Sequence, residues 1–333
     1  MPVLLFRLIR ILYTKYYQLR RGRNMKHDTF LSSDQKTRSH FICWEPDSEP
    51  IGTVQIIHGI AEYIERYHDF AQYLNNRGFI VVGHDHLGHG KSTSATEAKH
   101  GYFGDEPVNF VLEDIHQMKE WIENNYPDLP HFMLGHSMGS FALRNYLQVY
   151  KSEISGAIFM GTGKNVAMLP IALSLTEGLN RIAPEKQNKW LDKLAFGSFS
   201  KKFTETGSFN WLSKNQENVR RYENDPLTGF TFTNNGFYTL FRLVDGANHD
   251  GWAQNIDQDL PILVISGEQD PVGEFGKGPR NVAKELDEAG IKDVFLVLFA
   301  EMRHEILFEN EKNEVYKVIG TWLQKRLDFE LKD

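Results

Sequence analysis

The chain has 333 residues, of which 41% are hydrophobic and 13% aromatic, as expected of a globular enzyme with one large domain and an insertion, or with two domains. Its single cysteine, Cys43, excludes an intramolecular disulfide framework and metal sites built on several cysteines. Six of the 37 basic residues lie in the first 24 positions, which leaves 31 against 44 acidic residues elsewhere. This acidic body argues against a nucleic-acid partner.

The first 24 residues are apolar and basic and contain no acidic residue. The apolar run over 3–13 is interrupted by Arg7 and Arg10, so it is too short for a membrane span, and it lacks the three-part pattern of a signal peptide. Two interpretations stay open for this N-terminal extension. It is either a helix lying on an anionic membrane surface or translated sequence upstream of a true start at Met25. We favour the second, because the recognisable domain begins just after Met25.

Short β-rich runs then alternate with amphipathic helices. Apolar runs predict strands over 53–57, 79–82, 131–134, 157–160, 262–265 and 294–299. Apolar residues at three- and four-residue spacing predict helices that include Tyr67, Pro107, Met138, Arg280 and Val315. This alternation builds a mostly parallel sheet with helices on both faces, so the predicted fold class is α/β.

The alternation is interrupted between residues 162 and 257. This stretch contains a helical apolar pattern formed by Met168, Ile171, Ala172, Leu175, Leu179 and Ile182. It is also rich in aromatic residues. We therefore predict an inserted helical cap over 162–257, with the core divided between 25–161 and 258–333.

Residues 135–139 read G-H-S-M-G directly after an apolar run. A serine flanked at two positions by glycine is the sequence form of a nucleophile elbow, a sharp strand-to-helix turn that holds Ser137 in a strained conformation. Gly135 and Gly139 fit because a side chain at either position would collide across the turn. A Gly/Ser-rich loop is the simpler alternative. If the elbow forms, Ser137 is a nucleophile and the protein a serine hydrolase.

A serine hydroxyl needs a base, and that base needs a carboxylate to orient it. Because active groups collect at the carboxyl ends of parallel strands, the segments after the late strands are the place to search. Asp270 follows the strand over 262–265 and is the candidate acid, with Glu268 as its rival. His304 follows the strand over 294–299 and is the candidate base, with His249 as its rival. The order Ser, Asp, His is the one that this architecture uses.

A tetrahedral oxyanion also needs two backbone donors. One is expected from Met138, the residue after the nucleophile. The other is expected from the loop after the first central strand, at the amide of Ile60, where Gly59 allows the backbone to approach closely.

Together these residues resemble the α/β-hydrolase superfamily, and most closely its monoacylglycerol lipase and lysophospholipase-like branch. The similar segments are 58–67 (H-G-x-x-E followed by R-Y), 85–92 (D-x-x-G-H-G-x-S), 135–139, 267–270 (G-x-x-D) and 303–305. The resemblance covers about residues 26 to 327 and is weak in the cap. Tyr63 stands where the branch usually has histidine.

This resemblance implies an α/β-hydrolase fold and a serine esterase acting on lipid-like esters, monoacylglycerols or lysophospholipids, with a cap that shapes an acyl-binding tunnel over the triad. It implies catalytic residues Ser137, Asp270 and His304, oxyanion donors Ile60 and Met138, and no cofactor or metal. We expect a cytoplasmic protein that contacts the membrane surface through the cap or residues 1–24. The oligomeric state stays open.

The sequence leaves three alternatives open. An aminopeptidase of the proline-iminopeptidase type on the same scaffold would use cap carboxylates for a free amino terminus, and the available ones are Glu205, Glu217, Glu223 and Asp225. A metal site could use His84, His86 and His89, but the metallo-β-lactamase pattern H-x-H-x-D-H would require aspartate where the chain has Gly88. A binding protein that kept the fold without catalysis is the third alternative.

Overall fold

The computed structural model describes residues 25–92, 100–150, 154–164, 168–205 and 207–330. The interpretations of residues 1–24 therefore lie outside the described part of the chain. Among the described helices, none combines the length and the apolarity that crossing a bilayer requires.

The described strands form one eight-stranded sheet in the order β1-β2-β4-β3-β5-β6-β7-β8. β1 and β2 pair antiparallel and β2 joins β4 antiparallel, whereas the other neighbours are parallel. The strands are β1 (Met25–Leu31), β2 (Arg38–Trp44), β3 (Gly52–Ile57), β4 (Phe79–His84), β5 (His131–His136), β6 (Gly156–Met160), β7 (Ile262–Gly267) and β8 (Val294–Phe299).

Nine α-helices lie within the described residues, and they cover both faces of the sheet, so the predicted α/β fold class is confirmed. They are α1 (His68–Asn75), α2 (Pro107–Asn125), α3 (Met138–Val149), α4 (Leu169–Ile182), α5 (Lys189–Phe196), α6 (Gln216–Asn224), α7 (Asn234–Gly246), α8 (Lys277–Glu288) and α9 (Lys312–Glu330).

Strand alternation divides the core between the two faces. Phe132 and Leu134 of β5 belong to the cluster that contains α1 and α9 residues, whereas Met133 between them belongs to the cluster of α2, α3 and α8. β5 is fully buried because it lies in the middle of the sheet. Ser137 directly follows the carboxyl end of this central strand.

The predicted strands agree with β3 to β8, although several continue one or two residues further. β1 and β2 were not predicted. They form an antiparallel hairpin at the sheet edge, so the strand–helix alternation that identified the other strands is absent there. β1 is in addition only partly buried along its length, which leaves no clear apolar pattern.

Between β6 and β7 the chain forms α4 to α7. α7 packs against both α4 and α3, and its Phe237 and Leu243 are fully buried. The apolar pattern predicted for α4 does form a helix, but Ile171 and Ile182 are 61% and 84% exposed. The buried guanidinium of Arg144 on α3 donates hydrogen bonds to the carbonyl of Gly163 after β6 and to that of Ala247 after α7.

Candidate active site

Ser137 lies at the turn between β5 and α3 with φ 52° and ψ −119°, a left-handed conformation that is unfavourable for a residue with a side chain. A Cβ at Gly135 would collide with the carbonyl of Gly139, and a Cβ at Gly139 would collide with the carbonyl of Ile57. The amide of Ser137 donates a hydrogen bond to Met160 of β6 at 2.9 Å. The turn is therefore fixed by close backbone packing on both sides.

The structure brings Ser137, His304 and Asp270 together. His304 Nε2 lies 2.8 Å from Ser137 Oγ, and His304 Nδ1 lies 2.8 Å from Asp270 Oδ2. The three side chains are buried, with exposed fractions of 6%, 2% and 0% for Ser137, His304 and Asp270. In this arrangement Nδ1–H donates to the carboxylate, which leaves the Nε2 lone pair facing the serine hydroxyl.

Asp270, the predicted acid, is held by its own loop, and the rival candidates Glu268 and His249 lie elsewhere. Asp270 Oδ1 accepts a hydrogen bond from the amide of Val272 at 2.8 Å, so the carboxylate keeps its orientation toward the imidazole. Glu268 instead pairs with Arg280 at the surface, at 2.6 Å. His249 is exposed, and its Nε2 lies 2.9 Å from the side chain of Gln148.

The loop after β3 lies directly against Ser137. A Cβ added at Gly59 would lie 3.0 Å from the Cβ of Ser137, so only glycine allows this approach. Ile60 follows Gly59, and Met138 is the first residue of α3, whose positive end faces the same place. Ile60 and Met138, whose amides are the predicted oxyanion donors, thus lie next in sequence to Gly59, which approaches Ser137, and to Ser137 itself.

A buried ionic network behind the site was not predicted. The Glu62 carboxylate accepts hydrogen bonds from the amide of Gly59 at 2.6 Å, from His136 Nδ1 at 2.8 Å and from Arg66 at 2.6 Å. Arg66 also pairs with Glu305, the residue after His304, at 2.7 Å. The i,i+4 spacing of Glu62 and Arg66 on the sequence is the signal that could have revealed part of it.

This network stays charged. Burial alone would raise the pKa of Glu62, but the hydrogen bond and charge of His136 and the charge of Arg66 hold that pKa well below its usual value. Burial alone would lower the pKa of His136, but its hydrogen bond to Glu62 and the charge of that carboxylate raise it. Glu62 and His136 therefore form a buried ion pair next to Ser137, which follows His136 in the chain.

The buried histidines near the ends of β3 and β4 form hydrogen bonds with backbone groups. Burial lowers the pKa of His86 to about 4 and that of His89 to about 3, so both rings are neutral at pH 7. His58 Nε2 accepts the amide hydrogen of His86 at 3.0 Å, and His89 Nε2 accepts that of Ala61 at 3.3 Å. Within the described residues no group of three such side chains has the geometry to hold a metal ion.

A cavity of about 360 Å³ adjoins the site. Ile60 and Ala61 form one wall, and aromatic side chains between β6 and β7 form the others, among them Phe209, Trp211 and Phe230. The ring of Trp211 also lies 5.1 Å from that of His304. The cavity therefore has a largely aromatic lining that also includes Asp192 and Lys193, and it reaches the loop after β3 and, through Trp211, the neighbourhood of His304.

A family model described as Serine aminopeptidase, S33, matches residues 48–311. A monoacylglycerol lipase of Mycolicibacterium smegmatis is 27% identical over 289 residues, which cover 85% of this chain and 92% of the relative. A monoglyceride lipase homolog of Monkeypox virus is 36% identical over 289 residues, covering 85% and 93%. The solved structure of a thermostable carboxyl esterase from Bacillus coagulans superposes with a TM-score of 0.85 at 28% identity, covering 92% of this chain and 100% of that one.

The matched family spans most of the chain, including every segment that builds the site. The sheet order, the strand-to-helix turn at Ser137 and the relatives agree with the resemblance found in the sequence. The chain therefore belongs to the family described as Serine aminopeptidase, S33, as an α/β-hydrolase of the monoacylglycerol lipase-like branch.

Proposed function

We propose that the protein is a serine carboxylic-ester hydrolase that acts on lipid-like esters, monoacylglycerols or lysophospholipids, through an acyl-enzyme intermediate. The observation that carries this proposal is the continuous chain of hydrogen-bond distances from Asp270 through His304 to Ser137, with 2.8 Å at each step. An imidazole oriented by a buried carboxylate is the base that a serine hydroxyl requires.

In the proposed reaction His304 Nε2 takes the hydroxyl proton while Ser137 Oγ bonds to the ester carbonyl carbon. The resulting oxyanion accepts hydrogen bonds from the amides of Ile60 and Met138. His304 then gives its proton to the leaving alcohol oxygen as the ester bond breaks. Water then attacks the acyl-enzyme: its proton passes to Nε2 as its oxygen bonds to the acyl carbon. The bond between the acyl carbon and Ser137 Oγ then breaks, the carboxylic acid leaves, and Nε2 returns the proton to Ser137 Oγ. No step of this chemistry requires a cofactor or a metal.

The substrate class is supported by the cavity. We assign residues 162–257 to a cap and the remainder of 25–333 to the catalytic core, so that the aromatic walls belong to the cap. The aromatic part of the lining suits an acyl chain, since burying each methylene group contributes roughly 0.8 kcal/mol. The relatives named as monoacylglycerol lipase and monoglyceride lipase homolog point to the same class.

An aminopeptidase activity is the alternative that the family description names. It would need a carboxylate free to bind an amino terminus. Of the four cap carboxylates considered, Glu205 pairs with Arg303, Glu217 pairs with Arg221, and Asp225 accepts a hydrogen bond from Tyr63. Of the four, only the exposed Glu223 has no ion pair or hydrogen bond of the kind just described. Because the other three carboxylates are already engaged, the arrangement favours an ester substrate.

The test uses the wild-type protein and Ser137→Ala with a monoacylglycerol, a lysophospholipid and a proline arylamide. We expect ester hydrolysis by the wild type, covalent labelling by a fluorophosphonate probe, and a loss of kcat of roughly three orders of magnitude in Ser137→Ala. Near-normal ester hydrolysis by Ser137→Ala would contradict the mechanism. Preferential cleavage of the arylamide would replace the proposed substrate by a peptide.

We also propose that the cap contacts a membrane surface. α4 and α5 carry large exposed apolar side chains, with Ile171 61%, Ile182 84%, Trp190 60% and Leu194 60% exposed. Residues 168–205 contain six basic and four acidic residues, although the whole chain is acidic. Exposed apolar residues beside basic ones are typical of helices that lie on anionic lipid surfaces.

A further inference from the structure

Ala61, in the loop after β3, has a backbone conformation that its side chain disfavours. Its φ is +49°, in the left-handed region where alanine is strained, and the residue is buried. Such a conformation persists only where surrounding contacts hold it. Ala61 directly follows Ile60, whose amide is assigned to the oxyanion. A rotation about the N–Cα bond of Ala61 would therefore move the Gly59–Ile60 peptide relative to Ser137.

The loop is held on its core side by two side chains. The Glu62 carboxylate accepts the amide hydrogen of Gly59 at 2.6 Å, and His89 Nε2 accepts that of Ala61 at 3.3 Å. His89 Nδ1 lies 3.0 Å from the carbonyl of Leu87, and it donates there, because burial lowers the pKa of His89 and keeps the ring neutral with one hydrogen. Both contacts orient amide hydrogens and leave the Ala61 carbonyl to other partners.

That carbonyl is held from the opposite side, by the segment between β6 and β7. The hydroxyl of Tyr222 on α6 donates to the Ala61 oxygen at 3.0 Å, and the amide of Gly229 donates to the same oxygen at 3.0 Å. Tyr222 is buried, and the Arg66 guanidinium lies over its ring at 5.1 Å. The hydroxyl is thus fixed by ring packing, and the strained residue carries two hydrogen bonds on one oxygen.

We propose that Tyr222 is a positioning residue for the oxyanion hole: its hydroxyl, by holding the Ala61 carbonyl, keeps the Ile60 amide aligned with Ser137, so the seating of the cap sets catalytic efficiency. This inference rests on the proposed function. It assigns to the cap a role in transition-state stabilisation, in addition to forming the cavity walls.

A matched control lies in the same interface. The Tyr63 hydroxyl donates to Asp225 at 2.7 Å, so it also joins the loop after β3 to the chain just after α6. Its hydrogen bond ends on a side chain and leaves the Ala61 carbonyl untouched. Tyr63→Phe and Tyr222→Phe therefore each remove one tyrosine hydroxyl from the same contact surface. Only Tyr222→Phe removes a hydrogen bond to the strained residue Ala61.

The experiment measures kcat and KM for one ester with wild type, Tyr222→Phe and Tyr63→Phe. It also measures the affinity of a trifluoromethyl ketone, which forms a tetrahedral oxyanion on serine, and of the corresponding alcohol, which does not. For Tyr222→Phe we expect kcat to fall about tenfold, KM to stay within twofold, and ketone affinity to fall by the same factor as kcat, with alcohol affinity unchanged. For Tyr63→Phe we expect kcat within twofold of wild type. Equal melting temperatures of the two variants show that both fold.

Two results would overturn the inference. One is a Tyr222→Phe variant with wild-type kcat and ketone affinity, and the other is an equal loss of kcat in both variants, which would indicate cap seating without any specific effect on Ala61. Neither result bears on the proposed function. That function fails separately, if the wild type hydrolyses no ester or if Ser137→Ala remains active.

Discussion

At Ser137 the backbone is held in a left-handed conformation by packing that admits only glycine on either side. The same turn directs the hydroxyl toward His304 and places the first amide of α3 beside it. In the proposed mechanism this strain is useful, because it fixes the Ser137 hydroxyl before substrate binds, so that no reorganisation is required during the reaction.

Replacing Asp270 by asparagine tests the orientation of the His304 ring without changing the packing of the buried side chain. Asp270→Asn keeps the size of the side chain but presents an amide to His304 Nδ1, which favours the wrong tautomer. We expect kcat to fall by roughly three to four orders of magnitude. The measurement is steady-state ester hydrolysis at saturating substrate.

Glu268→Gln is the matched control for Asp270→Asn, since Glu268 lies two residues away and pairs with Arg280 at the surface. Its kcat should stay within about twofold of wild type. A greater loss in Glu268→Gln than in Asp270→Asn would show that the acid is misassigned.

Single residues of the site were accessible from the sequence to different degrees. Ser137, Asp270 and His304 each follow a predicted strand, and the common edge of a parallel sheet is sufficient to predict that they meet. No role was predicted for Glu62, because its partner His136 is distant in the sequence, as is Glu305, which pairs with Arg66, and nothing local indicates that the Glu62 carboxylate is buried. The sequence predicted no role for Tyr63, and in the structure its hydroxyl donates a hydrogen bond to Asp225.

At the scale of elements, the Glu62 network joins pieces that carry different parts of the site. Glu62 lies in the loop after β3 and pairs with His136 at the end of β5. Arg66 joins Glu62 to Glu305, which follows His304, and Asn218 of α6 donates to Glu305 at 2.7 Å. Four segments are thus fixed relative to one another by buried charged and polar groups. Removing one member would leave its partners buried and unpaired, which costs several kcal/mol in general.

The pH dependence of stability should report this network. The pKa of Glu62 is lowered from its usual 4.5, so its contribution is present above pH 4.5 and is lost as pH falls through the lower folded value. The pKa of His136 is raised from its usual 6.5, so its contribution is present below pH 6.5 and is lost as pH rises through the higher folded value. The pair therefore stabilises the fold most between pH 4.5 and 6.5.

Urea unfolding of wild type and Glu62→Gln at pH 3.5, 5.5 and 8 tests this dependence. We expect the free energy of unfolding of Glu62→Gln to be lower by roughly 3 kcal/mol at pH 5.5, with a smaller difference at both extremes. Glu217→Gln serves as control, because its exposed i,i+4 pair with Arg221 should contribute little at any pH. A difference between Glu62→Gln and wild type that is constant across the three pH values would contradict the assignment of the two charged groups.

At the scale of the whole molecule, the central strands were the most predictable part and the edges the least. β5 is buried along its full length and produced a clear apolar run, whereas β1 lies at the edge of the sheet and produced none. In α4 the periodicity correctly indicated a helix, but Ile171 and Ile182 face outward. Periodicity shows that a helix has an apolar side, and it does not show which surface, protein or lipid, that side meets.

The exposed apolar side chains of α4 and α5 lead to the last prediction. If they enter a lipid surface, the wild-type protein should co-sediment with anionic phospholipid vesicles more strongly than with zwitterionic ones, because six basic residues lie in the same stretch of 168–205. Replacing Ile171 and Ile182 together by serine should lower vesicle binding about tenfold or more, since two large apolar side chains no longer leave water. Hydrolysis of a short water-soluble ester should stay unchanged, because neither residue lines the cavity.

Phe295→Ser is the control: it removes an apolar side chain that is 51% exposed on β8, at the far edge of the sheet. Equal loss of vesicle binding in the control and the double variant would show that general surface hydrophobicity, and not the cap, meets the membrane.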